Sequence, residues 1–196
     1  MVAAALAEAL RARGERVATV KPVLTGTDEP PDPVWPPDDV LLGASVARRF
    51  GPPVSPHLAA ELAGEPIEPA ELVGVARAAA AGADAVVVEG VGGILVPLTP
   101  GYLVRDYARE LALPLVVAAR PGLGTINHTL LTLEAARAVA LDVLAVVLTP
   151  WPEQPSLMER SNHATIERLG AVRVRTLRHL PHPDPALLAT AGTALL

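Results

Sequence analysis

The chain has 196 residues, of which 51% are hydrophobic and 3% aromatic, with a net charge of −5, a pI near 5.5 and a mean hydropathy of +0.37. That is enough apolar material for one sizeable core, so one domain over residues 1–196 is expected and a disordered chain is excluded. The acidic balance argues against nucleic acid or an anionic membrane surface as partner, and no run reaches the roughly 18 apolar residues of a membrane span. With no cysteine there is no disulfide or thiol chemistry, which fits a reducing cytoplasm.

Residues from Val2 to Arg13 read as an amphipathic helix closed by Gly14, and not as a signal peptide, because Glu8, Arg11 and Arg13 break its apolar face. No Ser, Thr, Asp or Asn caps its start. Arg16 to Val20 reads as a strand, followed by a Pro-rich loop from Lys21 to Pro37. Asp38 or Asp39 caps a helix running to about Arg49. A second Pro-rich loop leads to a helix over Glu68 to Ala81. Asp84 to Val88 is an unalternated apolar run, which suits a buried strand of a parallel sheet. Val104 to Leu111 reads as helix, Leu115 to Ala118 as strand and Thr125 to Ala140 as helix. Val143 to Leu148 reads as strand, Ser156 to Leu169 as helix and Val172 to Leu177 as a last strand. Alternating strand and helix predicts an α/β fold, a parallel sheet flanked by helices.

In such sheets ligands bind beyond the carboxyl ends of the strands. Val86-Val87-Val88-Glu89-Gly90-Val91-Gly92-Gly93 delivers an acid and a glycine-rich turn to that edge. With no Lys or Arg near it in sequence, Glu89 calls for a metal or a cationic substrate; a solvated acid at a strand end is the plainer alternative. Lys21 ends the preceding strand, in Lys21-Pro22-Val23-Leu24-Thr25-Gly26. It is a point charge suited to phosphate or carboxylate, unless it is simply a surface lysine. Asp38 and Asp39 serve either as caps or, for one of them, as a second carboxylate on Mg²⁺. Gly122-Leu123-Gly124-Thr125-Ile126-Asn127-His128-Thr129 opens a helix whose free N–H groups can take an anion, or is an ordinary turn. His57, His163, His179 and His182 lack metal-ligand spacing and read as surface or loop residues.

Four of these stretches stand in register: Lys21-Pro-Val-Leu-Thr-Gly26, Ser55-Pro56-His57, Val88-Glu-Gly-Val-Gly-Gly93 and Gly122-x-Gly-Thr-Ile-Asn-His-Thr129. Together they resemble the dethiobiotin synthetase family along nearly the whole chain. Trp151-Pro152-Glu153-Gln154-Pro155 followed by Arg160-Ser161-Asn162 is similar to its actinobacterial branch. The resemblance implies a P-loop NTPase-like fold and a homodimer. It also implies Mg²⁺- and ATP-dependent ring closure on 7,8-diaminononanoate with CO₂ or bicarbonate, giving dethiobiotin. By the same resemblance Lys21 binds the carbamate and the γ-phosphate, and Thr25 contacts the substrate. Asp39 and Glu89 hold Mg²⁺, while Gly90, Val91 and Gly92 let the backbone pass close to phosphate. Gly124, Thr125, Ile126 and Asn127 receive the substrate carboxylate, in this family from the partner subunit. Thr149 and Pro150, with Pro181, His182 and Pro183, lie near the nucleotide base.

The chain departs from the family pattern twice. Thr149 stands where the family often has an Asn that reads adenine, which leaves ATP selectivity open. The family also carries a Gly-rich loop ending Gly-Lys-Thr just before the helix that opens this chain, and these 196 residues contain no such loop. The first strand and phosphate loop of the fold are thus expected to be missing, with the native start upstream. Met1 would then stand where a GTG codon otherwise encodes Val. Residues 1–196 alone are expected to show negligible synthesis and poor stability. Two other readings stay open. One is a non-catalytic binding or regulatory paralogue. The other is a different P-loop relative, such as a cobyrinate amidase or a partitioning ATPase, against which the Ser55-Pro56-His57 and Gly-Thr-Ile-Asn-His-Thr stretches speak.

Overall fold

A computed structural model describes residues 1–28, 43–180 and 184–196. Asp38, Asp39, Pro181, His182 and Pro183, and the predicted start of the second helix, lie outside the described residues.

The chain begins with α1 (Val2–Ala12), whose start has no side-chain cap. β1 (Val17–Thr25) follows and is longer than the sequence predicts, so Lys21 lies inside the strand and not at its end. The extension comes from pairing: Lys21, Val23, Leu24 and Thr25 match Val46, Arg48, Arg49 and Phe50 of β2 (Ser45–Phe50), in parallel. Pro22 is tolerated there because it gives up only one ladder donor.

β2 corrects the expected helix ending near Arg49. Ser45-Val46-Ala47-Arg48-Arg49-Phe50 buries Phe50 in the core, and Arg48 ion-pairs with Glu71 at 3.0 Å. A tertiary partner thus overrides a weak helical preference. α2 (Pro56–Ala63), read from sequence as loop, has Pro at its start and Gly64 in the left-handed conformation (φ +67°) at its end. α3 (Pro69–Ala80) agrees with expectation.

β3 (Ala85–Val88) pairs in parallel with β1 from Val17–Ala85 to Val20–Val88. The entry of both strands is fixed by Asp84, which accepts from the Arg16 backbone N–H (2.9 Å), Nε (3.0 Å) and Nη2 (2.7 Å). The side-chain hydrogen bonds from Arg16, then its backbone N–H, draw the Asp84 carboxyl down to about 2.

The hairpin of β4 (Pro97–Thr99) and β5 (Tyr102–Leu103) was not expected from sequence. It leads into α4 (Val104–Leu111), which buries Tyr107 against the α3 side of the core. Burial pushes the Tyr107 hydroxyl up to about 12.

The second half is β6 (Leu115–Ala119), α5 (Thr125–Arg137), β7 (Val143–Trp151), α6 (Leu157–Gly170), β8 (Arg173–Arg178) and α7 (Pro185–Thr193). α7, too, is absent from the sequence reading, although Asp184 caps it by accepting from the Leu187 N–H at 2.8 Å. His163 of α6 is not a plain surface residue: its ring meets Trp151 edge-on at 5.9 Å.

The parallel strands form two three-stranded sheets, ordered β2-β1-β3 and β6-β7-β8. Among the described residues no strand pairs with the second edge of β3 or of β6. This corrects the expectation of a fully buried Val86–Val88 run: with one edge paired, all three valines are only half-buried. α1 bridges the halves. It touches β1 and β3, and its Val2, Ala4 and Ala5 share an apolar cluster with Val116, Val147, Leu177 and Leu188. Gly192 of α7 lets that helix lie against the backbone of α1, since a Cβ there would sit 1.9 Å from the Ala5 carbonyl oxygen. Among the described residues no helix is long and apolar enough to cross a membrane.

Candidate active site

β1 and β3 stop pairing at Val20–Val88, and the next residue of each strand is Lys21 and Glu89. The Glu89 N–H still donates to the Val20 carbonyl at 2.8 Å, which sets the two side chains next to each other. Lys21 Nζ donates to Glu89 Oε1 at 2.5 Å and to the Gly90 carbonyl at 3.3 Å. Their side chains are 17% and 33% exposed, so the pair is open to a ligand but partly shielded from water.

This corrects the view of Glu89 as an acid without a cation. Its partner is 68 positions away in sequence and adjacent in space, a pairing that strand register makes and local sequence does not reveal. An ammonium has three N–H donors, and two are engaged, so the third is available to an anion. On Glu89, Oε2 has no donor among the described residues.

The start of α1 joins them. Glu89 and Lys21 both act electrostatically on the Met1 nitrogen, so the start of α1 lies close to the pair. The uncapped first turn of α1 adds the positive end of a helix dipole. The sequence noted the missing cap but not where the helix start would lie.

Around this pair, Gly92 is left-handed (φ +68°), and a Cβ there would come within 3.0 Å of Val96 Cγ2. Val91 packs against the core, so its backbone alone can face a ligand. Thr25 ends β1, and the Gly26 N–H donates to the Pro52 carbonyl at 3.1 Å, which brings the Pro52–Ser55 loop beside it. At the start of α2, Ser55 Oγ and His57 Nδ1 are hydrogen-bonded at 3.1 Å.

A second cluster lies at the start of α5. Gly124 is the N-cap, left-handed at φ +87°. Thr125 is buried, with its hydroxyl 3.4 Å from that of Thr129 and its N–H on the Gly122 carbonyl. The N–H groups of Ile126 and Asn127 have no acceptor among the described residues. No hydrogen bond or ion pair joins this cluster to Lys21 and Glu89 among the described residues. Thr149 and Pro150, linked by a cis peptide bond, lie at the carboxyl end of β7, where its register with β8 shifts.

Among the described residues no three His, Cys, Asp or Glu side chains gather as ligands. One free carboxylate oxygen beside an anion site still fits Mg²⁺, which takes one or two carboxylates and leaves its other positions to water and phosphate.

Helices flank the parallel strands, and Lys21 and Glu89 meet just beyond the last β1–β3 pair; the α/β fold is P-loop NTPase-like by its similarity to known proteins. The AAA domain family (AAA_26) matches residues 1–184. A ParA family ATPase from Chlorobium tepidum shares the fold with a TM-score of 0.54, over 99% of this chain and 85% of its own, at 14% identity. Sequence similarity is more specific. The ATP-dependent dethiobiotin synthetase BioD of Mycobacterium sp. (strain JLS) is 42% identical over 180 residues, 87% of this chain and 78% of its own length. The proteins of that name from Anaeromyxobacter dehalogenans and Rhodococcus erythropolis are 42% and 36% identical, over 86% and 88% of this chain and 78% of each relative. The chain belongs to the dethiobiotin synthetase family.

Proposed function

We propose that this protein closes the ureido ring of dethiobiotin from 7,8-diaminononanoate, CO₂ and ATP, in biotin biosynthesis. The observation that carries this reading is the Lys21–Glu89 couple just beyond the last β1–β3 pair, beside the start of α1, in a chain of this family.

CO₂ adds to one amine of the substrate, which loses a proton to become a carbamate. A carbamate oxygen attacks the γ-phosphorus and ADP leaves, forming a carbamic-phosphoric anhydride. The second amine then attacks the carbonyl carbon, phosphate leaves and the ring closes. Such a sequence needs positioning and charge neutralisation more than covalent help from the protein.

Lys21 is suited to this work because its third N–H can reach carbamate or γ-phosphate while the other two stay on Glu89 and Gly90. The α1 start adds positive potential on the same side. Glu89 through Oε2, with Asp39, would hold Mg²⁺, which supplies neutralisation of the phosphate charge when bound. Gly90, Val91 and Gly92 offer backbone to the phosphates, and Thr25 lies where substrate would pass. The free N–H groups of Ile126 and Asn127 take the substrate carboxylate, presented by a partner subunit of a homodimer. Thr149, Pro150 and the stretch Pro181, His182 and Pro183 border the base. The reaction belongs in the cytoplasm, where ATP and bicarbonate are supplied.

Titration calorimetry with ATP tests the carboxylate's part. In a chain that carries the family's Gly-Lys-Thr loop ahead of α1, Mg²⁺ is expected to strengthen ATP binding by about tenfold, the equivalent of 1.4 kcal/mol. Glu89→Gln should lose that dependence and bind metal-free ATP no worse, since it frees Lys21. Full Mg²⁺ dependence in Glu89→Gln would remove Glu89 from the metal site.

A further inference from the structure

Asn162 of α6 is buried to 8% exposure, one of few polar side chains so buried among the described residues. Its Nδ2 donates to the Pro121 carbonyl at 2.9 Å and to the Gly122 carbonyl at 3.2 Å. Both partners are acceptors only, so the nitrogen of the amide must face them. The Gly122 carbonyl also takes the Thr125 N–H at 3.3 Å. One amide therefore pins two successive carbonyls of the loop that turns from β6 into α5, just ahead of the left-handed Gly124.

That anchoring is not needed to dock α6. Leu133, Ile166, Val146 and Leu148 already form an apolar cluster there, and Arg137 Nη2 donates to the Gly170 carbonyl at 2.5 Å. Among the described residues Asn162 is the side chain that holds the path of Pro121 to Gly124, alongside the Thr125 N–H on the Gly122 carbonyl, and hence the direction of the Ile126 and Asn127 N–H groups. We infer that Asn162 is a positioning residue for substrate recognition, aiming those N–H groups at the carboxylate of the diamino acid. This inference rests on the reading of the α5 start given above.

The test compares Asn162→Ala and Asn162→Leu with the unaltered chain. The leucine keeps the volume and removes the donor. Affinities for 7,8-diaminononanoate and for ATP are measured separately, with amide hydrogen exchange across residues 121–128. Both variants should bind the diamino acid about tenfold more weakly, the scale of a lost hydrogen bond with its acceptors left bare. ATP affinity should stay within about twofold, because the Lys21–Glu89 couple is untouched. Exchange should rise at residues 121–128 and not in β1. Equal weakening for both ligands, as a merely structural role or a failure to fold would give, overturns the inference, and so does unchanged binding of the diamino acid. If the unaltered chain itself fails to bind the diamino acid, the reading of the α5 start falls, and the inference falls with it.

Discussion

Lys21→Ala is expected to weaken ATP binding by about 10- to 100-fold, with the fold intact. Charge-assisted hydrogen bonds contribute about 1.5–3 kcal/mol, and each 1.4 kcal/mol is tenfold in affinity. The same change strips Glu89 of the Nζ that donates to its Oε1, leaving a bare carboxylate beside the phosphates. Adding Glu89→Gln removes that repulsion, so the double variant should recover part of the loss in metal-free buffer. A cavity or folding defect would not be repaired this way. Binding within twofold of the unaltered chain in Lys21→Ala would take the lysine out of the site.

Gly192→Ala should destabilise the protein by about 3 kcal/mol or more, measured as a fall in denaturant midpoint. Helix propensity alone gives the opposite sign, a gain of up to about 1 kcal/mol for Ala over Gly. Packing decides here. The new Cβ would lie 1.9 Å from the Ala5 carbonyl oxygen and 2.9 Å from Ala9 Cβ, so it meets helix backbone that no rotamer change can clear. α1 is also the element that touches both halves of the fold, so displacing it from α7 disturbs the cluster of Val2, Ala5, Val147, Leu177 and Leu188. Gly74→Ala in α3 is the control: a Cβ there meets nothing within 4 Å, and a gain of about 0.5–1 kcal/mol is expected. Equal effects from the two substitutions would mean that α7 does not pack on α1 this closely.

Most strands and helices could be read from the sequence because their signals are local. The run Val86-Val87-Val88, the 3.6-residue pattern of α4 and the Ser156 cap of α6 each need no distant partner. β2 could not be read, because Ser45 to Phe50 becomes a strand only by lying along the far half of β1. The same pairing lengthens β1 and turns Lys21 from a strand-end residue into one held mid-strand. α2 and α7 carry readable signals in Pro56 with Gly64 and in Asp184 with Pro185, but their apolar faces are too short to stand out from loop in the sequence. At the site, residue types and motif order were legible. The Lys21–Glu89 pairing, the place of the α1 start and the grip of Asn162 on Pro121 and Gly122 were not, since each depends on register or on contacts between elements far apart in sequence.

In the proposed reaction Lys21 receives the carbamate of the diamino acid, a step that precedes phosphoryl transfer and needs no nucleotide. Carbon-13 NMR with labelled bicarbonate and 7,8-diaminononanoate measures it directly. A protein-bound carbamate resonance is expected with the unaltered chain and is lost in Lys21→Ala. A folded, unaltered chain that forms no bound carbamate, or a Lys21→Ala variant that forms it equally well, would show that Lys21 does not receive the carbamate.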